Sequence, residues 1–504
     1  MNENLNEALE HIGDRHLEEA ANYYSRSRRG RWLGAIAAVL AVVIAWGAIW
    51  RGLEGQKPAL QNTVPSIQGT TPSDIPTPSQ PVPPNSAELK FLVGQPVYPT
   101  LSLCPNYKDY TSYEEYENAK FQWRKTQMEL YNQPAGYADS LDSFFARSIP
   151  EFLSGEGNRA YSPLNVYLAM AMLAQTTGGE SRQQILDLFG VDSIEALQTQ
   201  AEHVWRAHYR GDGQSSSLLA NSIWLDSALL YNADTVQTLA ETYFASVFHG
   251  DLGTEEANQQ LRSWINSQTG GLLEEQANNL SLDPETAFAL ASTCYFTAGW
   301  RSEFSEKDTA LATFHCKDFD LTTQFMNQTL FHSTYYWGTD FGAVRLALNG
   351  DNAMWLILPD EGKTVEDVLE SGEYWQMTQN YGKWENQQEL TVNLSLPKFD
   401  ISTQADLIEG MKNLGVTDIF DPGADFSPIS DEDELSVNKI DHAVRVAVDE
   451  EGVIAASYTV ISVEFGAAPS APNDEIDFVL DRPFLFMVTS QDDLPLFTGV
   501  VEQP

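Results

Sequence analysis

Patterns typical of helices and patterns typical of strands occupy different parts of this 504-residue chain. Apolar positions with helical spacing recur between residues 138 and 268, and runs typical of strands dominate from residue 287 onward. A chain that alternated strands with helices would instead indicate a parallel sheet. The segregation therefore predicts an α+β fold. Predicted helices span 138–153, 162–174, 181–188, 193–205, 233–244 and 255–268, and predicted strands span 217–225, 287–296, 343–348, 354–358, 390–396, 438–448, 478–480, 484–489 and 496–501.

One segment, Val444–Val463, contains two strand patterns with an interruption between them. Its first part alternates valines with Arg445 and Ala447, as a half-buried strand does. The acidic residues 449–451 and Gly452 then break the pattern without the two-residue turn of a tight hairpin. The second part has neither charge nor proline, so it is compatible with a central strand. Since an irregular loop follows, we expect this segment to be the moving part of the molecule.

Composition excludes several classes of function. The chain carries 29 Lys and Arg against 71 Asp and Glu, a net charge of -42, which disfavours nucleic-acid binding. Cys104, Cys294 and Cys316 form neither a disulfide framework nor a zinc motif, although one Cys104–Cys316 bridge stays open. The chain lacks the G-x-S-x-G, H-E-x-x-H, P-loop and C-x-x-C motifs, so we expect no enzyme activity, cofactor or metal.

The N-terminal part predicts a membrane anchor. Residues 1–31 are a polar tail, and Trp32–Trp50 runs nineteen residues without a charge. As a helix it would be roughly 28 Å long, close to the hydrocarbon thickness of a bilayer. A cleaved signal peptide has a shorter apolar core and a small-residue cleavage site, whereas Arg51 follows this span. The arginines at 26, 28, 29 and 31 favour a single pass with a cytoplasmic N-terminus and the remainder outside the cell.

Two further segments precede the globular part. Residues 51–87 are rich in Pro, Ser and Thr, a composition of extended, disordered linkers. At about 3.1 Å per residue this linker would reach roughly 100 Å. Residues 88–136 are a loop-rich extension of unknown role, with a short helix predicted around residues 113–131. The globular domain is predicted to span 137–504, and its buried helix from residue 162 has Ser162 as the predicted cap and Pro163 in its first turn.

Motifs from Tyr137 to the C-terminus resemble, in order, those of the serpin family. Each is short, but together they are specific. They are Asn158–Asn165, Ala220–Trp224, Trp264–Gly270, Tyr295–Phe304, Leu396-Pro397-Lys398-Phe399, Leu414-Gly415, Phe420, Ala424–Ser427, Asp481–Phe486 and Leu496–Gly499. The resemblance implies about nine helices around three β-sheets with an exposed reactive-centre loop. With its predicted anchor, the chain resembles a membrane-anchored serpin of bacterial type.

The resemblance also implies a mechanism. A target serine protease cleaves the loop and forms an acyl-enzyme, and the loop then inserts as a new strand into the main sheet and deforms the protease. The chain would be a serine-type endopeptidase inhibitor and not an enzyme. The implied hinge of the loop comprises Glu450, Glu451, Gly452, Val453, Ala455, Ala456 and Ser457. Val453 departs from the Thr or Ser that the family usually has, which would slow insertion.

Five residues match the positions where the family's main sheet opens. Ser162 and His442 match the serine and histidine of the shutter, and Trp300 marks the breach at the top of the central strand. Asn165 and Ser292 stand where the family usually has Ser and Asn, so this pair is exchanged. One hydroxyl and one amide are retained, which predicts a buried hydrogen-bond network.

The bond that the protease cleaves is open to two assignments. Spacing from Gly452 indicates Gly466–Ala467, whereas counting back from the C-terminal side indicates Ala471–Pro472; the candidates are Phe465, Gly466, Ala467 and Ala468. No Lys or Arg lies between residues 446 and 481, which excludes trypsin-like targets. Small residues favour an elastase-like or subtilisin-like protease, and Phe465 would suit a chymotrypsin-like one. The alternative function is a non-inhibitory binding or adhesion module on the cell surface. In either case we expect a monomer.

Overall fold

The computed structural model describes residues 91–213, 215–432, 435–453 and 474–504. Contacts divide the chain into residues 1–69 and 70–504, and every described residue belongs to the second unit. The predicted membrane span, the linker and the loop residues 454–473 lie outside the described residues. Within the described ranges, no helix has both the length and the apolar character needed to cross a membrane.

Eleven α-helices form in the described part of the chain, two more than the nine expected. Four short helices, at residues 274–278, 365–371, 373–380 and 408–413, were not predicted from the apolar pattern, because one or two turns carry little periodicity. The helices are α1 (Tyr113–Tyr131), α2 (Asp142–Leu153), α3 (Pro163–Thr176), α4 (Gly179–Phe189), α5 (Ile194–His208), α6 (Ala233–Thr242), α7 (Glu255–Gln268), α8 (Glu274–Asn278), α9 (Val365–Ser371), α10 (Glu373–Asn380) and α11 (Ile408–Asn413).

Seventeen strands form two sheets in the same residues. The main sheet has the order β1-β5-β4-β6-β14-β13-β12, with β3 beside β4, and the second sheet has the order β15-β11-β8-β9-β10-β16-β17-β2, with β7 beside β8. The strands are β1 (Leu92–Gly94), β2 (Arg159–Tyr161), β3 (Arg210–Gly211), β4 (Ser215–Asp226), β5 (Ala245–Gly250), β6 (Phe288–Gly299), β7 (Ala310–His315), β8 (Asp320–Trp337), β9 (Phe341–Ala347), β10 (Ala353–Pro359), β11 (Gln387–Pro397), β12 (Phe399–Asp406), β13 (Asp441–Val448), β14 (Gly452–Val453), β15 (Glu475–Val479), β16 (Phe484–Thr489) and β17 (Pro495–Val501).

The described residues form two sheets and not the three expected, because β8 is continuous for 18 residues. Its first part pairs with β7 and β11, and its last three residues pair with β9. One long strand therefore joins two groups of strands that would otherwise count as separate sheets. The α+β character stands, since the helices still cluster in the first half of the described chain.

Helices cover both faces of the main sheet. Alternate residues of β4 point to opposite faces, as in any strand: Leu219 and Ile223 join the large core, whereas Trp224 joins a smaller cluster with Trp264 of α7. On the large-core side lies α3, in which thirteen of fourteen residues are buried. The sheet is therefore an internal layer, and any new strand in it must be compatible with burial on both faces.

The extension before residue 137 is folded against the edge of this sheet. β1 pairs antiparallel with β5 at the end of the sheet that lies away from β14. Further along, the Tyr98 ring stacks on Trp205 at 5.6 Å and on Tyr209 at 5.3 Å, both at the end of α5. The Tyr98 hydroxyl is hydrogen-bonded to Ser246 of β5, and burial raises the pKa of Tyr98. One side chain of the extension thus contacts both β5 and the helix layer.

All three cysteines are free thiols, so the Cys104–Cys316 bridge is not formed. Cys104 instead takes part in the attachment of the extension, because its backbone N–H donates to the carbonyl of Asp212 at 2.8 Å.

The first prediction concerns Tyr98. Replacing it with alanine removes both ring contacts and the bond to Ser246, and should lower stability by about 2–4 kcal/mol. A thermal melt of the full-length chain measures this as a lower melting temperature. Tyr113→Ala is the matched control, since 65% of Tyr113 is exposed and exposed substitutions change stability by about 0.5 kcal/mol or less. Equal melting temperatures for the two variants would contradict an anchoring role for Tyr98.

Candidate functional site

The site centres on β14, the two-residue strand that follows the acidic hinge. Val453 pairs with Ala298 of β6 on one side and with Val448 of β13 on the other, and both pairings are antiparallel. β6 and β13 therefore run parallel to each other, with β14 between them at the end of the sheet near Gly299. β14 itself therefore occupies the position of a central strand of the main sheet.

Backbone hydrogen bonds hold the hinge in place. Asp449 Oδ1 accepts from the N–H groups of Glu451 at 2.9 Å and Gly452 at 3.2 Å, which closes the turn after β13. Trp300 donates two hydrogen bonds to the hinge. Its indole N–H donates to the carbonyl of Asp449 at 2.8 Å, and its backbone N–H donates to the carbonyl of Glu451 at 3.0 Å. The predicted breach residue Trp300 therefore contacts the hinge directly.

Gly452 is required by close approach to the neighbouring strand. A Cβ at this position would lie 2.7 Å from the Cα of Gly299 and closer still to the carbonyl oxygen of Ala298. Atoms of the β6 backbone cannot move away without breaking the sheet. Glycine is therefore the residue that permits β14 to approach β6.

Glu450 is tied to the neighbouring strand by a partly buried ion pair. Its Oε2 lies 2.7 Å from Nζ of Lys398, at the junction of β11 and β12, and its Oε1 accepts from the Thr309 hydroxyl at 2.8 Å. Burial acts to raise the pKa of Glu450, but these partners outweigh it, and the pKa is lowered. The ionised carboxylate is thus the form that the folded hinge favours.

The pKa values of the adjacent carboxylates, Asp449 and Glu451, are shifted in the opposite direction. Burial raises the pKa of Glu451, and the negative charges of Asp449 and Glu303 raise it further. Burial also raises the pKa of Asp449, although the two N–H groups that it accepts act against that change. In the folded hinge the ionised form is therefore favoured for Glu450 and disfavoured for Asp449 and Glu451.

The shutter residues form two pairs, and the first joins α3 to β13. The backbone N–H of Ser162 donates to Nε2 of His442 at 3.1 Å, and the Ser162 hydroxyl donates to the carbonyl of Leu496 at 2.7 Å. Ser162 is the N-cap residue of α3, as predicted, but its side chain makes no capping hydrogen bond to the first turn and instead donates to β17. Burial lowers the pKa of His442 to about 4, so the ring is neutral near pH 7 and can accept from Ser162.

The second pair joins α3 to β6. Nδ2 of Asn165 donates to the carbonyl of Ser292 at 3.2 Å, and the Ser292 hydroxyl donates to Oδ1 of Asn165. The exchanged residues thus meet each other. A cavity of about 30 Å³ lies between the two pairs, lined by residues of α3, β6 and β13. Helix α3 is the common anchor, and each strand beside β14 has its own bond to it.

The structure describes only some of the predicted site residues. It brings together Glu450, Glu451, Gly452, Val453 and Trp300 at the hinge, and Ser162, Asn165, Ser292 and His442 at the shutter. The remaining candidates fall outside the described residues: Ala455, Ala456, Ser457, Phe465, Gly466, Ala467 and Ala468. The described chain resumes before β15, which pairs with β11 in the second sheet.

Sequence reasoning missed the side chains that hold the hinge. Lys398 was noticed only as part of a motif, and its position two residues after the predicted strand 390–396 was the available signal. Thr309 gave no signal, because its partner Glu450 is distant in sequence.

Metal binding and serine-based catalysis are two other chemistries to which the described residues can be compared. In the described ranges, no group of His, Cys, Asp and Glu side chains is arranged to hold a metal ion. A serine and a histidine do meet at Ser490 and His208, 3.0 Å apart. However, both are buried, and Ser490 Oγ accepts from the N–H groups of Asp492 and Leu494. This pair closes a turn and presents no nucleophile to solvent.

Comparison with known proteins agrees with this arrangement. The family model described as Serpin (serine protease inhibitor) matches residues 143–504. Plasminogen activator inhibitor 1 of Bos taurus is 29% identical over 390 residues, which cover 74% of this chain and 94% of that protein. Serpin-Z1A of Triticum aestivum is 29% identical over 370 residues, 70% of this chain and 91% of the relative.

Solved structures give the same result for the fold. The thermophilic serpin tengpin in its native state superposes with a TM-score of 0.65 at 25% identity, covering 74% of this chain and 95% of tengpin. The latent state of tengpin superposes with a TM-score of 0.61 at 23% identity, covering 73% of this chain and 98% of tengpin.

The second prediction concerns the hinge ion pair. Lys398→Met leaves Glu450 without its cation, and should reduce stability at pH 7 by about 1–2 kcal/mol. Because the folded pKa of Glu450 is lowered, this contribution exists above its unfolded pKa and is lost as the pH falls through the folded value. The deficit in melting temperature should therefore shrink between pH 6 and pH 3. Lys398→Met with Glu450→Gln is the control and should regain most of the loss; a deficit independent of pH would contradict the assignment.

The third prediction concerns the exchanged shutter pair. Asn165→Ser and Ser292→Asn should each lower the melting temperature, since each leaves a partly buried polar group without its partner, at about 1–3 kcal/mol. The double variant places the hydroxyl and amide in the reverse positions and should recover part of the loss. Thermal melts of the four proteins give a double-mutant cycle, with an expected coupling of about 0.5–3 kcal/mol. Strict additivity would show that the two side chains do not act as a pair.

Proposed function

The chain belongs to the serpin family, and from that premise we propose that it inhibits serine proteases as a suicide substrate. The observation that carries the proposal is the position of Val453. This residue is 1% exposed and pairs with strands on both sides. The hinge is thus already placed as the first residues of an inserted strand, and the loop that follows has the sequence of a buried strand.

The proposed reaction begins as ordinary proteolysis. The protease serine attacks a backbone carbonyl within 465–468, the peptide bond breaks, and the new amino terminus departs with a proton. The carbonyl remains bound to the serine as an ester. The segment from Gly452 to the ester is then released from its C-terminal attachment and extends β14 between β6 and β13. Each inserted residue gains strand pairing on both sides, which supplies the driving force for displacing the protease before water hydrolyses the ester.

The proposed target is an elastase-like or subtilisin-like protease. The absence of Lys and Arg across residues 447–480 removes the side chain that trypsin-like enzymes bind. The small residues Gly466, Ala467 and Ala468 fit a shallow specificity pocket. We further propose that the inhibitor acts outside the cell as a membrane-tethered protein, since residues 32–50 have the length and composition of a membrane span.

The direct experiment mixes the full-length chain with pancreatic elastase. An inhibitor gives a complex that survives SDS and has roughly the summed mass of both proteins, and mass spectrometry of the released C-terminal fragment locates the cleaved bond. Cleavage without a complex would favour the alternative, a non-inhibitory binding or adhesion module. Labelling of the chain by a fluorophosphonate would indicate a hydrolase instead.

The fourth prediction tests insertion through Val453. In Val453→Arg a guanidinium would enter the large core in which Val453 is packed, where an unpaired charge is strongly unfavourable. The variant should be cleaved by elastase at the wild-type rate but should yield little or no SDS-stable complex. Val479→Arg is the control, because Val479 lies on a strand and is 37% exposed; it should form the complex normally. Undiminished complex formation by Val453→Arg would refute insertion at this position.

A further inference from the structure

Exposed apolar side chains are concentrated in the extension that precedes the serpin domain. Thirteen large hydrophobic residues are exposed in the described ranges, and eight of them lie between residues 93 and 130. Scattered exposed apolar residues are normal on a protein surface, whereas a concentration of them indicates an interaction site. Those eight are Val93, Val97, Leu103, Tyr107, Tyr113, Phe121, Met128 and Leu130.

Helix α1 carries four of these residues and has little packing of its own. Of its 19 residues, Tyr131 alone is buried. Its attachment consists of Trp123 and Gln127, which donate to Ser102 at 2.9 and 2.8 Å, and of the Arg210 guanidinium over the Tyr131 ring. Helices in proteins gain most of their stability from packing an apolar face. The exposed apolar residues of α1 are therefore available to a partner.

A cleft of about 3310 Å³ joins α1 to the hinge. Its lining includes Leu103, Tyr107, Tyr113 and Met128, which we call the α1 face, and also Trp300 and Glu451 of the hinge region. Small-molecule sites usually occupy about 300–1,000 Å³. The cleft is several times larger, so it is suited to the surface of another protein.

The position of the cleft identifies the partner. Glu451 directly precedes Gly452, where the loop begins, and Phe465 is the thirteenth residue after Gly452. That segment reaches at most about 45 Å, and a folded protease of ordinary size is itself about 45 Å across. A protease bound to the loop is therefore within reach of the cleft. We propose that the α1 face is a docking surface for the protease that attacks the loop.

This inference rests on the proposed function and deepens it, because it assigns to the extension a role in choosing the protease. Contacts on the α1 face add binding energy before the loop is cleaved. They should therefore raise the rate of association. They should leave unchanged the partition between inhibition and simple cleavage, which depends on insertion between β6 and β13.

The test compares two double variants of the full-length chain with pancreatic elastase. Tyr113→Ser with Met128→Ser removes two side chains that are 65% and 73% exposed; the control, Leu230→Ser with Leu311→Ser, removes two that are 79% and 71% exposed and do not line the cleft. The second-order rate constant of inhibition should fall at least fivefold in the first variant and stay within twofold of wild type in the control. The stoichiometry of inhibition should be the same in all three proteins.

Binding of elastase whose catalytic serine is replaced by alanine separates docking from inhibition. Wild type and control should bind this elastase at least fivefold more tightly than the α1-face variant. If the wild type were cleaved without forming a complex, the proposed inhibition would fail, while this comparison would still report on docking. Equal binding by all three proteins would overturn the docking surface. It would also be overturned if sedimentation showed that the α1-face substitutions abolish a dimer but leave the elastase rate unchanged.

Discussion

The double pairing of Val453 is the constraint on which the rest of the site depends. A strand that is antiparallel to both neighbours requires those neighbours to be parallel, and β6 and β13 satisfy this requirement. It also requires the chain to leave β13, turn within three residues and return beside β6. Asp449 closes that turn, Trp300 holds it from β6, and Gly452 permits the close approach. Each of these residues is explained by the geometry of one short strand.

Helix α3 gives the two neighbouring strands a common support. Its burial on nearly all sides makes it a rigid element, and its first turn carries both Ser162 and Asn165. Because Ser162 bonds to His442 of β13 and Asn165 to Ser292 of β6, separation of the strands need not break a bond between them. Asn165 and Ser292 bond to each other, so the helix-to-β6 connection is made with the amide on the helix and the hydroxyl on the strand.

Much of this fold was predictable because its information is local. The buried helix α3 follows from an apolar run behind Ser-Pro, and the boundaries of α7 and β16 were predicted to the residue. The hinge was predictable because a missing turn residue and a charge-free run lie side by side. The Lys398–Glu450 pair was not, since it joins residues from different strands whose proximity only the sheet order determines. The continuity of β8 was equally hidden, because its exposed residues break the alternation that marks a strand. Ser162 was predictable as the N-cap residue of α3, but the bond from its hydroxyl to β17 depends on tertiary contact and could not be predicted.

The pairing of β1 with β5 has a mechanical consequence. Phe91 accepts a hydrogen bond from His249, so residue 91 lies at the opposite end of the main sheet from Gly299 and the hinge. A force transmitted through this residue along the strand axis loads the β1–β5 bonds in shear, all together, and does not peel them apart one by one. The next element to bear the load is the Tyr98 ring between α5 and β5. Tension on the N-terminal side would therefore be absorbed far from β14, and the hinge would remain mechanically isolated from it.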